Sequence, residues 1–276
     1  MKATALRAAE RGKAMATEVF NRHESKFLIN EDQFLHIERK LAEYMEPDEY
    51  NRTREFYTIS NIYFDTKDNH LIRNSLSKPK YKEKLRLRAY GVPGEDEMVY
   101  LEIKKKVCGL VNKRRTPLKL KEAYAFVNTG IKPEVREYMN WQVVNEIDYL
   151  LKIYDLEPRL YLAYDRKAMF SRENRDLRIT FDTNIRSRRT DLKLESGGDG
   201  ASMLEKGWWL MEVKAEKCIP LWLAKLLSEH RVFRSSFSKY GTEHQRMLLK
   251  DRMLKGENDL CLKPYLIQPQ LIPQYL

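Results

Sequence analysis

The chain has 276 residues, 42% of them hydrophobic and 33% charged, with a formal net charge of +11. That apolar content suffices for one large domain or two small ones, and the excess of cations favours an anionic partner: nucleic acid, acidic lipid or phosphorylated small molecules. Cys108, Cys218 and Cys261 stand far apart with no CxxC pair, which excludes a disulfide framework and a zinc site and suits a reducing cytoplasm; no apolar run is long enough to span a membrane.

The opening, "MKATALRAAERGKAMATE", is basic but lacks an apolar h-region, so 1–18 reads as a tail and not a signal peptide. A first strand is expected over "EVFNRHESKFLI". A helix follows at 31–45, where Phe34, Ile37, Leu41 and Tyr44 recur at helical spacing behind Asp32. "FYTISNIYFDT" at 56–66 is rich in β-branched and aromatic residues and reads as a strand; 67–76 fits one short helix. Strands are then expected at 82–90, 98–106 and 111–119, with "YGVPGEDE" and Gly109 marking the turns between them. Residues 120–152 read as two helices, the second opened by Pro133. Strands resume at 159–169, 175–182 and 207–215, with "ESGGDG" as a flexible loop, and helices follow at 219–231 and 239–251. The division is a tail at 1–18, one domain at 19–252 and a C-terminal tail at 253–276 that docks on a groove or a neighbour. Eight strands with several helices, largely antiparallel, make an α+β fold.

The strands share one peculiarity. "KEKLRLRAY" at 82–90 carries Lys82, Lys84, Arg86 and Arg88 on one face and Leu85 and Leu87 on the other. Glu102, Lys104 and Lys106 share a face against Leu101 and Ile103. Arg22, Glu24 and Lys26 align, as do Lys113 and Arg115, Tyr164 and Arg166, Arg178 with Thr180 and Asp182, and Glu212 with Lys214. A solvated face explains any one strand. It does not explain at least six strands sharing the property together with helices that need apolar surface to cover. Helices outside would turn the charged faces inward and close the sheet into a barrel with a charged lumen. Like charges enclosed there cost about 3 kcal/mol per pair at about 6 Å and an effective dielectric near 20. Such a lumen, rich in cations and poor in carboxylates, calls for anions, and phosphates suit it.

The segments "RHESKFLI", "IYFDT", "KLRLRAY", "YLEIKKK", "VNKRRTPL", "YLAYDRKAM", "RITFDTNI", "LMEVKAE" and "FSKYG" run in that order from about 22 to 241. In this the chain resembles the triphosphate tunnel metalloenzymes, and within them the polyphosphate polymerase (VTC) branch. The resemblance implies a closed eight-stranded antiparallel barrel, the triphosphate tunnel, with helices packed outside. It implies phosphate-binding, catalytic roles for Lys26, Arg86, Arg88, Lys104, Arg166 and Arg178, and substrate contacts from Tyr164, Lys113, Lys214 and Lys239. It also implies a divalent metal, Mn²⁺ or Mg²⁺, on Glu212, with Glu24 and Glu102 as further ligands. One departure stands out. The hydrolase and cyclase branches open with Glu-x-Glu-x-Lys, whereas here Arg22 takes the first place, which disfavours a two-metal site that activates water.

The expected activity is transfer of the terminal phosphoryl of ATP to polyphosphate in the cytoplasm, chemistry that needs positioning and charge neutralisation more than a covalent nucleophile. A tripolyphosphatase or nucleoside triphosphatase in the same tunnel is the first alternative, and a non-catalytic polyphosphate or nucleotide binder the second. Nucleic-acid binding rests on charge alone, with no reader module in view. "GDGASMLEKG" lacks the ending of a phosphate loop, the five histidines show no metal spacing, and Cys108 has no neighbouring base. The membrane-complex members of the family carry a regulatory domain and membrane spans. Neither stands in this sequence, so coupling to translocation would need a membrane-protein partner.

Overall fold

The computed structural model describes residues 23–255 except positions 109 and 174. Arg22, Gly109, Cys261 and the expectations for both tails beyond these limits lie outside the described residues. The chain forms β1 (His23–Asn30), α1 (Glu31–Leu41), β2 (Met45–Pro47), β3 (Tyr57–Asp65), α2 (His70–Leu76), β4 (Tyr81–Tyr90), β5 (Met98–Val107) and β6 (Leu110–Lys119). There follow α3 (Leu120–Thr129), α4 (Trp141–Ile153), β7 (Glu157–Ser171), β8 (Arg178–Arg188), β9 (Ala201–Ser202), β10 (Trp208–Ala215), α5 (Leu221–Glu229) and α6 (Lys239–Leu254).

Eight strands pair antiparallel in the order β1-β10-β8-β7-β3-β4-β5-β6, with β2 and β9 added on β7 and β8. The fold is mixed α+β on one large antiparallel sheet. The hydrogen-bonded ladder is open: β1 and β6 end it and do not pair with each other among the described residues. The sheet nonetheless curls, for Lys104 on β5 lies within electrostatic reach of Glu24 and Lys26 on β1.

The apolar half of each alternation is buried as its pattern requires. Leu85, Leu87, Leu101, Ile103 and Leu118 pack under α3 and α4 against Phe126, Val144 and Ile147. Phe27, Ile179, Phe181, Met211 and Val213 pack with Phe34, Ile37 and Leu41 of α1 and Leu223 and Leu227 of α5. Each such side chain contributes about 1.5–3 kcal/mol by leaving water. A third cluster lies on the other face, where Leu160, Leu162 and Leu210 meet Ile72 of α2 and Tyr240 of α6. That end of the charged face is therefore filled with apolar side chains.

Several boundaries differ from expectation for local reasons. Pro133 does not open a helix; 130–140 is irregular, and Asn140 caps α4 by accepting from the Val143 N–H at 3.3 Å. "ESGGDG" is pinned down: Arg188 donates to the carbonyls of Gly197 and Asp199 and lies 3.6 Å from the Tyr161 ring centre, while Arg186 donates to Gly198 O at 2.5 Å. Cys108 is exposed at φ +47, in the left-handed region, between β5 and β6. Trp209 is buried and stacks on Phe34 at 3.7 Å, whereas Trp208 stays partly exposed.

One carboxylate ties three elements at the filled end. Asp65, buried at the end of β3, accepts from the Leu71 and Ile72 N–H groups opening α2 and from the Tyr240 hydroxyl of α6. Asp65→Ala is expected to lower unfolding free energy by about 2–4 kcal/mol, since buried donors lose a charged acceptor; urea titration measures it, and a loss under about 0.5 kcal/mol would contradict the assignment.

Candidate phosphate-binding face

Residues directly opposite on paired strands share a face. Lys26 opposes Glu212, Glu24 opposes Lys214, and Lys214 in turn opposes Arg178. Arg166 opposes Asp182 and Tyr57; Tyr63 and Asn61 oppose Arg86 and Arg88. Arg86 opposes Glu102, and Lys104 opposes Lys84 and Lys113. Eleven of the thirteen residues singled out from the sequence thus fall on the single face opposite the α3/α4 and α1/α5 layers; Lys239 reaches it from the start of α6, and Tyr164 lies beside a bulge. At that bulge Asn184 adopts φ +48, which Asn tolerates, and β8 bends beside Tyr164.

The face is a linked set of ion pairs. Glu102, 1% exposed, accepts from Arg86 Nε at 2.7 Å and lies 3.7 Å from Arg88 Nη1 and 3.2 Å from Lys113 Nζ. Arg88 also donates to Asn61 Oδ1 at 3.0 Å and to the Tyr164 hydroxyl at 3.3 Å. Arg86 donates to the Tyr63 hydroxyl at 3.1 Å. Asp182, with no exposed surface, takes both Arg166 (2.6 and 2.8 Å) and Lys239 (2.5 Å), and Lys239 Nζ sits 4.2 Å from the Tyr164 ring centre. Arg178 reaches Asp48 at 3.3 Å, nearer the edge of the face, and packs its guanidinium 5.0 Å from the Phe170 ring centre.

Carboxylates therefore interleave with the cations more than the strand alternation suggested. Asp182 was visible beside Arg178 and Thr180 but carried no assigned role; Asp48, Tyr63 and Lys84 were not singled out as site residues. Their signal lies in cross-strand register, which one strand's alternation does not contain.

Glu24 and Glu212 meet around two lysines: Lys26 Nζ lies 3.4 Å from Glu24 and 3.9 Å from Glu212, and Lys214 Nζ lies 4.0 and 2.7 Å from the same pair. Glu102 is instead committed to Arg86, Arg88 and Lys113 and does not join them. Among the described residues no cluster of three or more acidic, histidine or cysteine ligands could hold a metal. The donor set fits a divalent ion held by one or two carboxylates and completed by phosphate oxygens and water, the arrangement Mg²⁺ favours.

Protonation follows the pairing. Burial opposes ionisation of Glu212, yet Lys214, Lys26 and Arg166 hold its carboxyl well below the usual range. Burial likewise opposes Glu102, and Arg86, Arg88 and Lys113 overcome it. Burial lowers Lys26, but Glu212 and Glu24 raise it more. Lys84 has no such acid: burial brings its ammonium down to about 8, Tyr63 opposes this, and Lys104, Lys82 and Lys26 add to it. Burial brings Lys113 down to about 7 even though Glu102 opposes this, and Arg86, Arg88 and Lys214 add to it. Burial resists ionisation of Tyr63, yet Arg86, Arg88 and Lys84 bring its phenol down to about 8.

Two outcomes follow. As pH rises through 8 the face loses the Lys84 cation and gains the Tyr63 anion. Affinity for tripolyphosphate is expected to fall above pH 8, toward about tenfold per pH unit for each of the two groups, and binding at pH 8 should take up protons because the anion raises both. Calorimetry in buffers of different ionisation enthalpy reads this directly; proton release would contradict it. Glu102→Gln should lower stability by about 3–5 kcal/mol, as breaking a buried pair leaves cations uncompensated, while tripolyphosphate binds more tightly, not less.

The VTC domain model matches residues 21–248. No curated protein is similar in sequence. Among solved structures, a candidate adenylate cyclase from Bacillus halodurans is 15% identical, covering 80% of this chain and 94% of that one at TM-score 0.49. A candidate adenylyl cyclase from Hippeastrum with a dominant triphosphatase activity is 14% identical, covering 79% and 93% at TM-score 0.45. The RNA triphosphatase domain of a mimivirus mRNA capping enzyme is 12% identical, covering 81% and 90% at TM-score 0.32. With the family model spanning nearly all of the described residues, the chain belongs to the VTC domain family.

Proposed function

We propose that this chain is a metal-dependent polyphosphate polymerase whose curled charged face acts as the wall of a triphosphate tunnel. The observation that carries this reading is the joined set Arg86, Arg88 and Lys113 around Glu102, Arg166 and Lys239 around Asp182, and Lys26 and Lys214 between Glu24 and Glu212. These are spaced for several phosphoryl groups in line: same-face residues on a strand stand about 7 Å apart.

The bond between the β- and γ-phosphoryl groups of ATP breaks, a terminal oxygen of the growing chain bonds to the transferred phosphorus, and ADP leaves. The attacking oxygen is already an oxyanion, so no general base is required. Arg86 and Arg88 orient the donor with planar forks that keep their charge. Tyr164 and Lys239 turn a hydroxyl and an ammonium toward the same region, and Lys104 and Arg178 extend the cationic wall. A divalent ion at Glu212 and Glu24 would supply charge neutralisation at the phosphates when bound. Glu102 serves better as the anchor of Arg86, Arg88 and Lys113 than as a ligand. ATP as donor implies a cytoplasmic setting for the face; no helix among the described residues is long and apolar enough to cross a membrane.

Incubation of the chain with ATP and Mn²⁺, with products resolved by gel, is expected to give long polyphosphate; orthophosphate alone would point to a triphosphatase, and no turnover with tight binding to a binder. Glu212→Gln should abolish metal-dependent turnover while retaining nucleotide binding, and unchanged turnover at limiting metal would remove Glu212 from the reaction. Arg88→Lys should weaken tripolyphosphate by roughly tenfold to a hundredfold, the loss of a charged hydrogen-bond pair. Lys82, which donates to Ser75 O at 3.1 Å, should matter much less; equal damage from Lys82→Ala and Arg88→Ala would mean a diffuse charge effect.

A further inference from the structure

At the end of β3 and β4 remote from Asp65 the charged face ends in aromatic rings, with Tyr57 and Tyr90 continuing the apolar cluster of that face. Tyr90 is the next same-face residue after Arg88, Tyr100 lies directly opposite Arg88, and Tyr57 lies opposite Arg166. Over these folds the 3-10 turn Glu49–Asn51, fixed by Asp48, which accepts from the Tyr50 and Asn51 N–H groups and from the Tyr57 hydroxyl. The turn lays Tyr50 parallel on Tyr90 at 5.1 Å between ring centres and 5.2 Å from Tyr57. Tyr90 meets Tyr100 edge-on at 5.9 Å, and the exposed Arg115, opposite Glu102 on β6, holds its guanidinium 4.5 Å from the Tyr100 ring centre. Arg115 also acts electrostatically on Tyr50, which places it near both rings.

Core packing accounts for Tyr57, which is buried, but not for Tyr50, which keeps 49% of its surface open while stacked. Neither does phosphate binding account for the stacking, since a phosphoryl group can accept from a phenol hydroxyl but gains nothing from an exposed ring face. A π-face beside a guanidinium at the open end of an anion track suits a flat heteroaromatic ring attached to a phosphate chain. We infer that the Tyr50–Tyr90–Tyr100 ledge, with Arg115, is the seat of the nucleobase of the triphosphate donor. One same-face step, about 7 Å, separates Arg88 from Tyr90, room for the ribose between phosphates and base. Stacking is tolerant of base identity because every base has a π-face, so the ledge selects nucleotides over bare polyphosphate rather than one base over another. This rests on the triphosphate reading of the charged face.

The test uses the full chain and two probes, the non-hydrolysable β,γ-imido analogue of ATP and inorganic tripolyphosphate, by calorimetry. Tyr50 sits half-exposed on a surface turn, so Tyr50→Ala should fold. Tyr50→Ala is expected to weaken the analogue about tenfold and to change tripolyphosphate less than twofold, with Tyr50→Phe close to the parent because the ring is kept. Equal weakening of both probes, or of neither, overturns the ledge while leaving the phosphate-binding reading in place. Failure of the parent chain to bind tripolyphosphate at all overturns both.

Discussion

Antiparallel register is the constraint on which the rest depends. It stacks the polar halves of eight alternations onto one face, and what makes that face tolerable is a small number of buried carboxylates shared among several cations. Without them, neighbouring guanidinium and ammonium groups would repel by about 3 kcal/mol per pair. Glu102 serves Arg86, Arg88 and Lys113; Asp182 serves Arg166 and Lys239. The face is thereby assembled before any ligand arrives, and a ligand meets side chains whose positions are fixed by folding. It also meets cations already partly neutralised. On the proposed reading, a single phosphate gains little from such a partner, whereas a chain of phosphates would gain at each pair in turn.

The sequence made the alternation plain because period two is a local property. Leu85 and Leu87 against Arg86 and Arg88, or Met211 and Val213 against Glu212 and Lys214, need no knowledge of the partner strand, and the helices that cover the apolar halves are legible at 3.6-residue spacing. Which carboxylate faces which cation is a non-local matter. Asp182 meets Arg166 across the β7–β8 ladder and Lys239 from a helix 57 residues later. Tyr63 becomes part of the site only because Arg86 lies opposite it. Closure was the other inference from alternation. Helices outside and charges inside argue for it, and the approach of Lys104 to Glu24 and Lys26 agrees with curling, but the ladder itself stops at β1 and β6. Short elements such as β2 and β9 were out of reach because two or three residues carry no period.

Arginine and lysine are divided over the face in a way their chemistry explains. Arg86, Arg88 and Arg166 hold the buried carboxylates Glu102 and Asp182, with Lys113 and Lys239 completing the two clusters. A guanidinium keeps its charge there and offers a fork to hold. Lysines away from an acid, Lys84 among them, are pushed down by burial and by one another, while Lys26, set between Glu24 and Glu212, is raised. The arginines thus supply a grip that does not vary with pH, and the acid-free lysines supply a field that does. On the proposed reading, a polyanion bound there would restore protons to those lysines and so strengthen the field around itself. The same division accounts for the position of Tyr63: a phenol beside two arginines and a lysine ionises more readily than usual, so it shares their dependence on the anion rather than adding a fixed negative charge to a face built to receive one.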